Sequence, residues 1–192
     1  MRKYGRGEVE RFLRAMDHAL AAGETIVIIG GVAVALRCSR TERMTKDIDS
    51  WGRVSEELGR AAEKARAVTG LAIPLEQAAV ADAPYGFEER LLRGMPSLGR
   101  LRVMLPEKHD LALMKIVRGD ETDVAGLAAA HREDPLDYEV LVSRYEEEMG
   151  SVIGDPSRLR LNMLRLIEEL FPESIEDAKR RLTRAHAKWR EM

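Results

Sequence analysis

The sequence predicts an α/β (α+β) fold, with a small mixed sheet flanked by helices and a helical extension at the C-terminal end. Three observations predict it. A short β-branched run at residues 25–29 stops abruptly at Gly30-Gly31. A second apolar run, Leu101–Leu105, is closed by Pro106. From Asp134 onward only helical periodicity remains.

Each element follows from local pattern. Val9, Phe12, Leu13, Met16 and Leu20 recur at helical spacing, so residues 7–22 read as an amphipathic helix, with Gly23 as its C-cap. Residues 25–29 read as a buried strand, and a short helical turn follows the two glycines. Residues 46–51 form a second strand and residues 54–68 a helix. Residues 71–75 form a further strand, which Pro74 confines to a sheet edge. Residues 101–105 are another strand, and a helix runs from 107 to 131. Asp134-Pro135 and Asp155-Pro156 each have the form of an N-cap followed by proline at the first helical position. Leu159, Met163, Leu166, Ile167 and Leu170 mark one tail helix. Ile175, Leu182 and Trp189 mark another, beginning near Pro172. The expected division is a core over residues 1–132 and a helical extension over residues 133–192.

Composition narrows the function classes. A chain of 192 residues suits one ordinary domain, or a core with an extension. The net charge of -2 excludes a global basic field of the kind that advertises a nucleic-acid partner, and leaves room only for a local patch. The single cysteine, Cys38, makes neither an internal disulfide nor a cysteine-cluster zinc site, and reads as a packed thiol. The four histidines show no metal-ligand spacing. The longest apolar run, residues 26–36, is shorter than the roughly 20 residues a membrane span needs, and no signal-peptide h-region is visible. The expectation is a soluble, cytoplasmic protein with no membrane partner.

Chemistry concentrates in two short segments. In a strand, Asp47 and Asp49 point to one side while Ile48 points to the core. Two adjacent carboxylates repel unless a cation lies between them. Magnesium, or manganese in its place, takes oxygen ligands and keeps substrate phosphates in its shell. Gly30-Gly31 follows a strand, where the missing Cβ lets backbone amides approach phosphate oxygens. Between the two lie Arg37, Arg40, Arg43 and Lys46 as candidate phosphate ligands, with Thr45 as a hydroxyl donor. Either segment alone is a common turn or a solvated edge. Together they point to a metal and a nucleoside triphosphate.

The run Gly30-Gly31-Val32-Ala33-Val34-Ala35-Leu36, with Arg43-Met44-Thr45-Lys46-Asp47-Ile48-Asp49, resembles the first motif of the polymerase-beta-type nucleotidyltransferase superfamily. Its Arg-x-Thr-x-Asp-Ile-Asp form is most similar to the branch related to AbiEii abortive-infection toxins and uncharacterised bacterial nucleotidyltransferases. A second block, Lys108-His109-Asp110-Leu111 leading to Lys115, Arg118, Asp120 and Asp123, resembles the same branch. The resemblance spans about residues 24–130. It implies a nucleotidyltransferase fold and a Mg-dependent transfer of a nucleoside monophosphate to a tRNA or a protein hydroxyl. It also implies a setting as the toxin of a toxin–antitoxin or phage-defence pair, with a cognate antitoxin as partner. By the same resemblance Asp47 and Asp49 bind the metal. Gly30, Gly31, Arg40, Arg43, Thr45, Lys115 and Arg118 hold the triphosphate, and Asp123 is a further acidic site residue.

One feature departs from the pattern. Superfamily members often carry a third carboxylate on a later strand, and residues 101–105 hold no acid. Glu76, close to Pro74, reads as a poor substitute, so Asp123 is expected to take the role. The alternative is a catalytically degenerate module of the same fold that binds nucleotide or a protein partner.

Overall fold

A computed structural model describes residues 2–38, 44–78 and 82–191, with Glu121 described through its backbone alone. The chain separates into two compact units. One comprises residues 1–81 and 91–106. The other comprises residues 82–90 and 107–192.

The first unit is built on a five-stranded mixed sheet of order β3-β2-β1-β5-β4. Its strands are β1 (Glu24–Ile28), β2 (Ile48–Trp51), β3 (Leu75–Gln77), β4 (Leu92–Gly94) and β5 (Leu101–Leu105). β1 runs antiparallel to β2 and parallel to β5. β3 runs parallel to β2, and β4 antiparallel to β5. Three helices belong to this unit: α1 (Arg6–Ala19), α2 (Gly30–Arg37) and α3 (Glu56–Thr69). α1 packs along α3. Its Val9, Phe12, Leu13 and Met16 are fully buried, as the helical spacing requires. α1 ends earlier than expected, with Leu20 rather than Gly23 as C-cap: the Leu20 amide donates to Met16 O while its backbone turns extended. Ser55 accepts from Leu58 N at 3.1 Å to start α3. Gly30-Gly31 opens a helix of two turns rather than a single turn, because Val32 to Leu36 are all buried.

The edge strand β3 lies later than expected. Pro74 precedes it instead of interrupting it, and the Pro74 carbonyl accepts from Ile48 N at 2.8 Å. Proline lacks a donor, not an acceptor, so that position suits it.

The second unit is helical: α4 (Lys108–Arg118), α5 (Glu121–Glu133), α6 (Tyr138–Glu148), α7 (Pro156–Leu170) and α8 (Ile175–Trp189). Ala112, Leu113 and Ile116 of α4 and Leu127 of α5 share one apolar cluster with Leu141, Tyr145, Met163, Leu166 and Leu182. That shared core groups α4 and α5 with α6, α7 and α8 in one compact unit. The segment 82–90 is tied in by Arg90, whose guanidinium donates twice to the fully buried Asp110 carboxylate at 2.9 Å. Arg144 donates to Asp110 and Glu107 in the same network.

The expected helix over 107–131 is two helices. Gly119 breaks it at φ +65, because the Asn162 side-chain amide from α7 fills the space a Cβ would take and donates to Ile116 O at 2.8 Å. Asp137, not Asp134, caps α6: its carboxylate accepts from Val140 N, while Asp134 ends α5. Asp155 caps α7 as expected, with Pro156 at the first helical position. No helix among the described residues is long and apolar enough to cross a membrane.

Candidate functional site

Register brings the two sequence motifs of the first unit together. β1 and β2 pair through Val27 with Trp51 and Ile28 with Ser50. The next step sets Ile29 across from Asp49, with Ile29 N donating to Asp49 O at 3.0 Å. Ile29 is the N-cap of α2, so Gly30 begins the helix beside the Asp49 side chain. Gly30 sits at φ +70, and a Cβ built there would lie 2.7 Å from Asp49 Oδ2. Only glycine lets that carboxylate rest against the first turn of the helix.

Burial along β2 alternates. Ile48 and Ser50 are buried, whereas Asp47 and Asp49 are half-buried. Asp47 lies in the bend just before the strand. That bend is shaped from two sides. Tyr4 N donates to Thr45 O at 2.7 Å, and Thr45 N donates back to Tyr4 O at 2.9 Å. The Thr45 hydroxyl, expected to reach a phosphate, donates instead to Asp47 O at 2.8 Å. Thr45 itself is buried.

β3 adds a carboxylate that local pattern had set aside. Parallel pairing places Glu76 beside Asp49. Paired residues of neighbouring strands lie about 4.8 Å apart and project to the same face. Glu76 is exposed. No group of three or more histidine, cysteine, aspartate or glutamate side chains among the described residues is gathered tightly enough to hold a metal ion. A donor set of two carboxylates, Asp47 and Asp49, completed by substrate phosphates is what magnesium commonly uses. The Gly30 cradle and these two acids fit such a group. Arg40 and Arg43 lie outside the described residues. Arg37 closes α2, where its guanidinium donates to Pro106 O at 3.5 Å.

The second sequence block folds within the helical unit. Lys115 on α4 donates to Asp123 Oδ1 on α5 at 2.7 Å. Arg118 donates to both Asp123 oxygens at 2.9 Å and pairs with Asp120 at 3.0 Å. Lys115 and Asp123 are buried, whereas the Arg118 side chain is 64% exposed. Burial alone would raise the Asp123 pKa, but Lys115 and Arg118 outweigh it and hold the carboxyl below its ordinary value. The two residues do meet, across a helix break rather than along one helix face. Arg158 donates to Arg118 O at 3.2 Å, so with Asn162 two α7 side chains bind carbonyls at the end of α4.

A family model described as "Nucleotidyltransferase of unknown function (DUF6036)" matches residues 8–179, spanning both units. No curated protein and no solved structure matches the chain.

Proposed function

The chain belongs to that nucleotidyltransferase family, and from this premise we propose that the β1–α2–β2 edge transfers a nucleoside monophosphate from a nucleoside triphosphate to an acceptor hydroxyl. The observation that carries the proposal is the packing of the Asp49 carboxylate against Gly30 at the start of α2. Asp47 and Asp49 hold Mg2+ or Mn2+. When bound, the cation neutralises charge on the α-phosphate and on the departing pyrophosphate. The first turn of α2 faces the triphosphate with unsatisfied backbone amides, and Gly31 keeps that approach clear.

Glu76 takes the proton from the acceptor hydroxyl. The acceptor oxygen bonds to the α-phosphorus, the bond from that phosphorus to the bridging oxygen of the β-phosphate breaks, and pyrophosphate leaves. Asp123 suits this step less well. A base needs available lone pairs and a pKa near the working pH, and Asp123 already accepts from Lys115 and Arg118 with its pKa lowered. Lys115 and Asp123 therefore serve as positioning residues within the helical unit, and Arg118 is their exposed member.

The acceptor is proposed to be a tRNA or a protein hydroxyl. The setting is proposed to be a toxin with a cognate antitoxin, on the strength of the Arg-x-Thr-x-Asp-Ile-Asp resemblance. The competing reading, a binding module without turnover, draws on the absence of an acid on β5. Incubation with each labelled nucleoside triphosphate, Mg2+, total RNA and a protein mixture tests the proposal. Label moves onto RNA or protein with the wild type and not with Asp47→Ala. Equal labelling by Asp47→Ala removes the metal assignment.

A further inference from the structure

The pairs that align β2 with β3 begin at Ile48, and Asp47 lies one residue earlier, in a bend. The direction of its side chain therefore depends on what holds the peptides around it. The peptide that follows Asp47 is held at both ends. Its carbonyl, Asp47 O, accepts from the Thr45 hydroxyl at 2.8 Å. Its amide, Ile48 N, donates to Pro74 O at 2.8 Å. A planar peptide bonded through both polar atoms has little freedom to turn.

Thr45 is the pivot of this arrangement, and it is buried. A threonine hydroxyl has one proton to donate, and Asp47 O receives it. A phosphate oxygen needs a donor, so this hydroxyl serves the backbone of Asp47 and not a triphosphate.

Thr45 is held in turn by residues 2–5. Tyr4 and Thr45 form an isolated antiparallel bridge, outside the named strands, through two backbone bonds of 2.7 and 2.9 Å. Tyr4 is buried beside it. Glu8 ties the segment to the first turn of α1. Its carboxylate accepts from Gly5 N at 3.0 Å and from Arg2 at 2.7 Å. The Arg2 guanidinium also lies 5.2 Å from the centre of the Tyr4 ring. A continuous path thus runs from the start of α1, through Tyr4 and Thr45, to the peptide that carries Asp47.

Resting on the assignment of Asp47 as a metal ligand, we propose that Thr45 is a positioning residue for that carboxylate and that residues 2–5 are the strap that holds Thr45 in place. Groups that orient a ligating side chain commonly set metal affinity by about 10–100-fold. Without the hydroxyl the peptide turns more freely and Asp47 loses its fixed direction, while Asp49 still rests against Gly30.

Electron paramagnetic resonance of Mn2+, titrated with the protein and an equal mixture of the α,β-methylene analogues of the four nucleoside triphosphates, tests the proposal. Thr45→Val keeps the shape and loses the hydroxyl, and weakens Mn2+ binding about tenfold. Thr45→Ser keeps the hydroxyl and recovers most of that loss. Tyr4→Ala and Tyr4→Pro both lose the ring, but only proline removes the amide donor. Tyr4→Pro is therefore the weaker binder of the two, by about tenfold. Thr45→Val is also measured in an Asp47→Asn background, where the hydroxyl has no ligand to position and its loss costs less than about twofold. Circular dichroism confirms that each variant is folded at the temperature used. Three results overturn the positioning role alone: Thr45→Val binding like wild type, Thr45→Ser binding as weakly as Thr45→Val, or an undiminished Thr45→Val penalty beside Asp47→Asn. Equal binding by Tyr4→Pro and Tyr4→Ala overturns the strap. No nucleotide-dependent binding by the wild type, or unchanged binding by Asp47→Asn, overturns the metal assignment and the positioning role with it.

Discussion

The two units use the same acidic side chains in opposite ways. In the helical unit Asp110 and Asp123 are buried, and each is covered by two cations: Arg90 and Arg144 for one, Lys115 and Arg118 for the other. On β2 and in the bend before it, Asp49 and Asp47 are both half-buried, and Asp49 rests against Gly30 at the start of α2. A carboxylate matched by arginine or lysine has its charge cancelled inside the protein, so removing it exposes an unpaired cation and costs stability. In the proposed reading Asp47 and Asp49 serve as ligands of an external cation, so removing one costs binding or activity instead. A motif aspartate therefore does not announce its role by identity; the role follows from what neutralises it.

The largest effect that sharpens this contrast is expected at Asp49. Asp49→Asn should lower transfer by about 10³-fold through loss of metal charge stabilisation, while the urea midpoint stays near wild type. Asp123→Ala should do the reverse. Denaturant titration should show a loss of about 3–5 kcal/mol, because Lys115 stays buried without its partner. Lys115→Met combined with Asp123→Leu should recover most of that loss. A single variant as stable as wild type would break the comparison. Glu76→Gln should lower the transfer rate by about 10²-fold and leave metal–nucleotide affinity unchanged. Gly30→Ala is smaller in stability, about 1–2 kcal/mol for the left-handed backbone, yet it should weaken metal binding because its Cβ displaces Asp49.

The smallest effect is a pH dependence within the helical unit. Burial raises the Glu107 pKa, but its bonds to His109 and Arg144 outweigh this and bring it down to about 2 from 4.5. A depressed carboxyl contributes stability above its unfolded value and loses it as pH falls from about 4.5 through 2. Burial lowers the His186 pKa to about 4 from 6.5, with Arg160 and Arg190 acting in the same direction. A depressed histidine favours the neutral folded form, so stability is full above pH 6.5 and declines as pH falls toward 4. Melting temperature against pH should show both declines, and His186→Gln should flatten the upper one.

Much of the sheet was legible because its signals are local. Residues 101–105 alternate up to Pro106, which closes the strand, and Gly30-Gly31 with Asp47-Ile48-Asp49 lie within one β–α–β stretch. What escaped depends on partners distant in sequence. Gly119 breaks the helix because Asn162, on α7, fills its missing Cβ. Glu76 gains meaning only from the register of β3 on β2. β4 at Leu92–Gly94 carries no alternation and exists through its pairing with β5. α4 and α5 join the later helices because their apolar faces share one cluster with them, which no single window reveals.

The most direct test of the central claim is electron paramagnetic resonance of Mn2+ titrated with the protein and a non-hydrolysable nucleoside triphosphate. Wild type and Lys115→Met with Asp123→Leu should both sequester Mn2+ in a nucleotide-dependent way, and Asp47→Asn with Asp49→Asn should not. Sequestration that survives loss of Asp47 and Asp49, or that vanishes with Lys115 and Asp123 in a folded protein, would contradict the assignment.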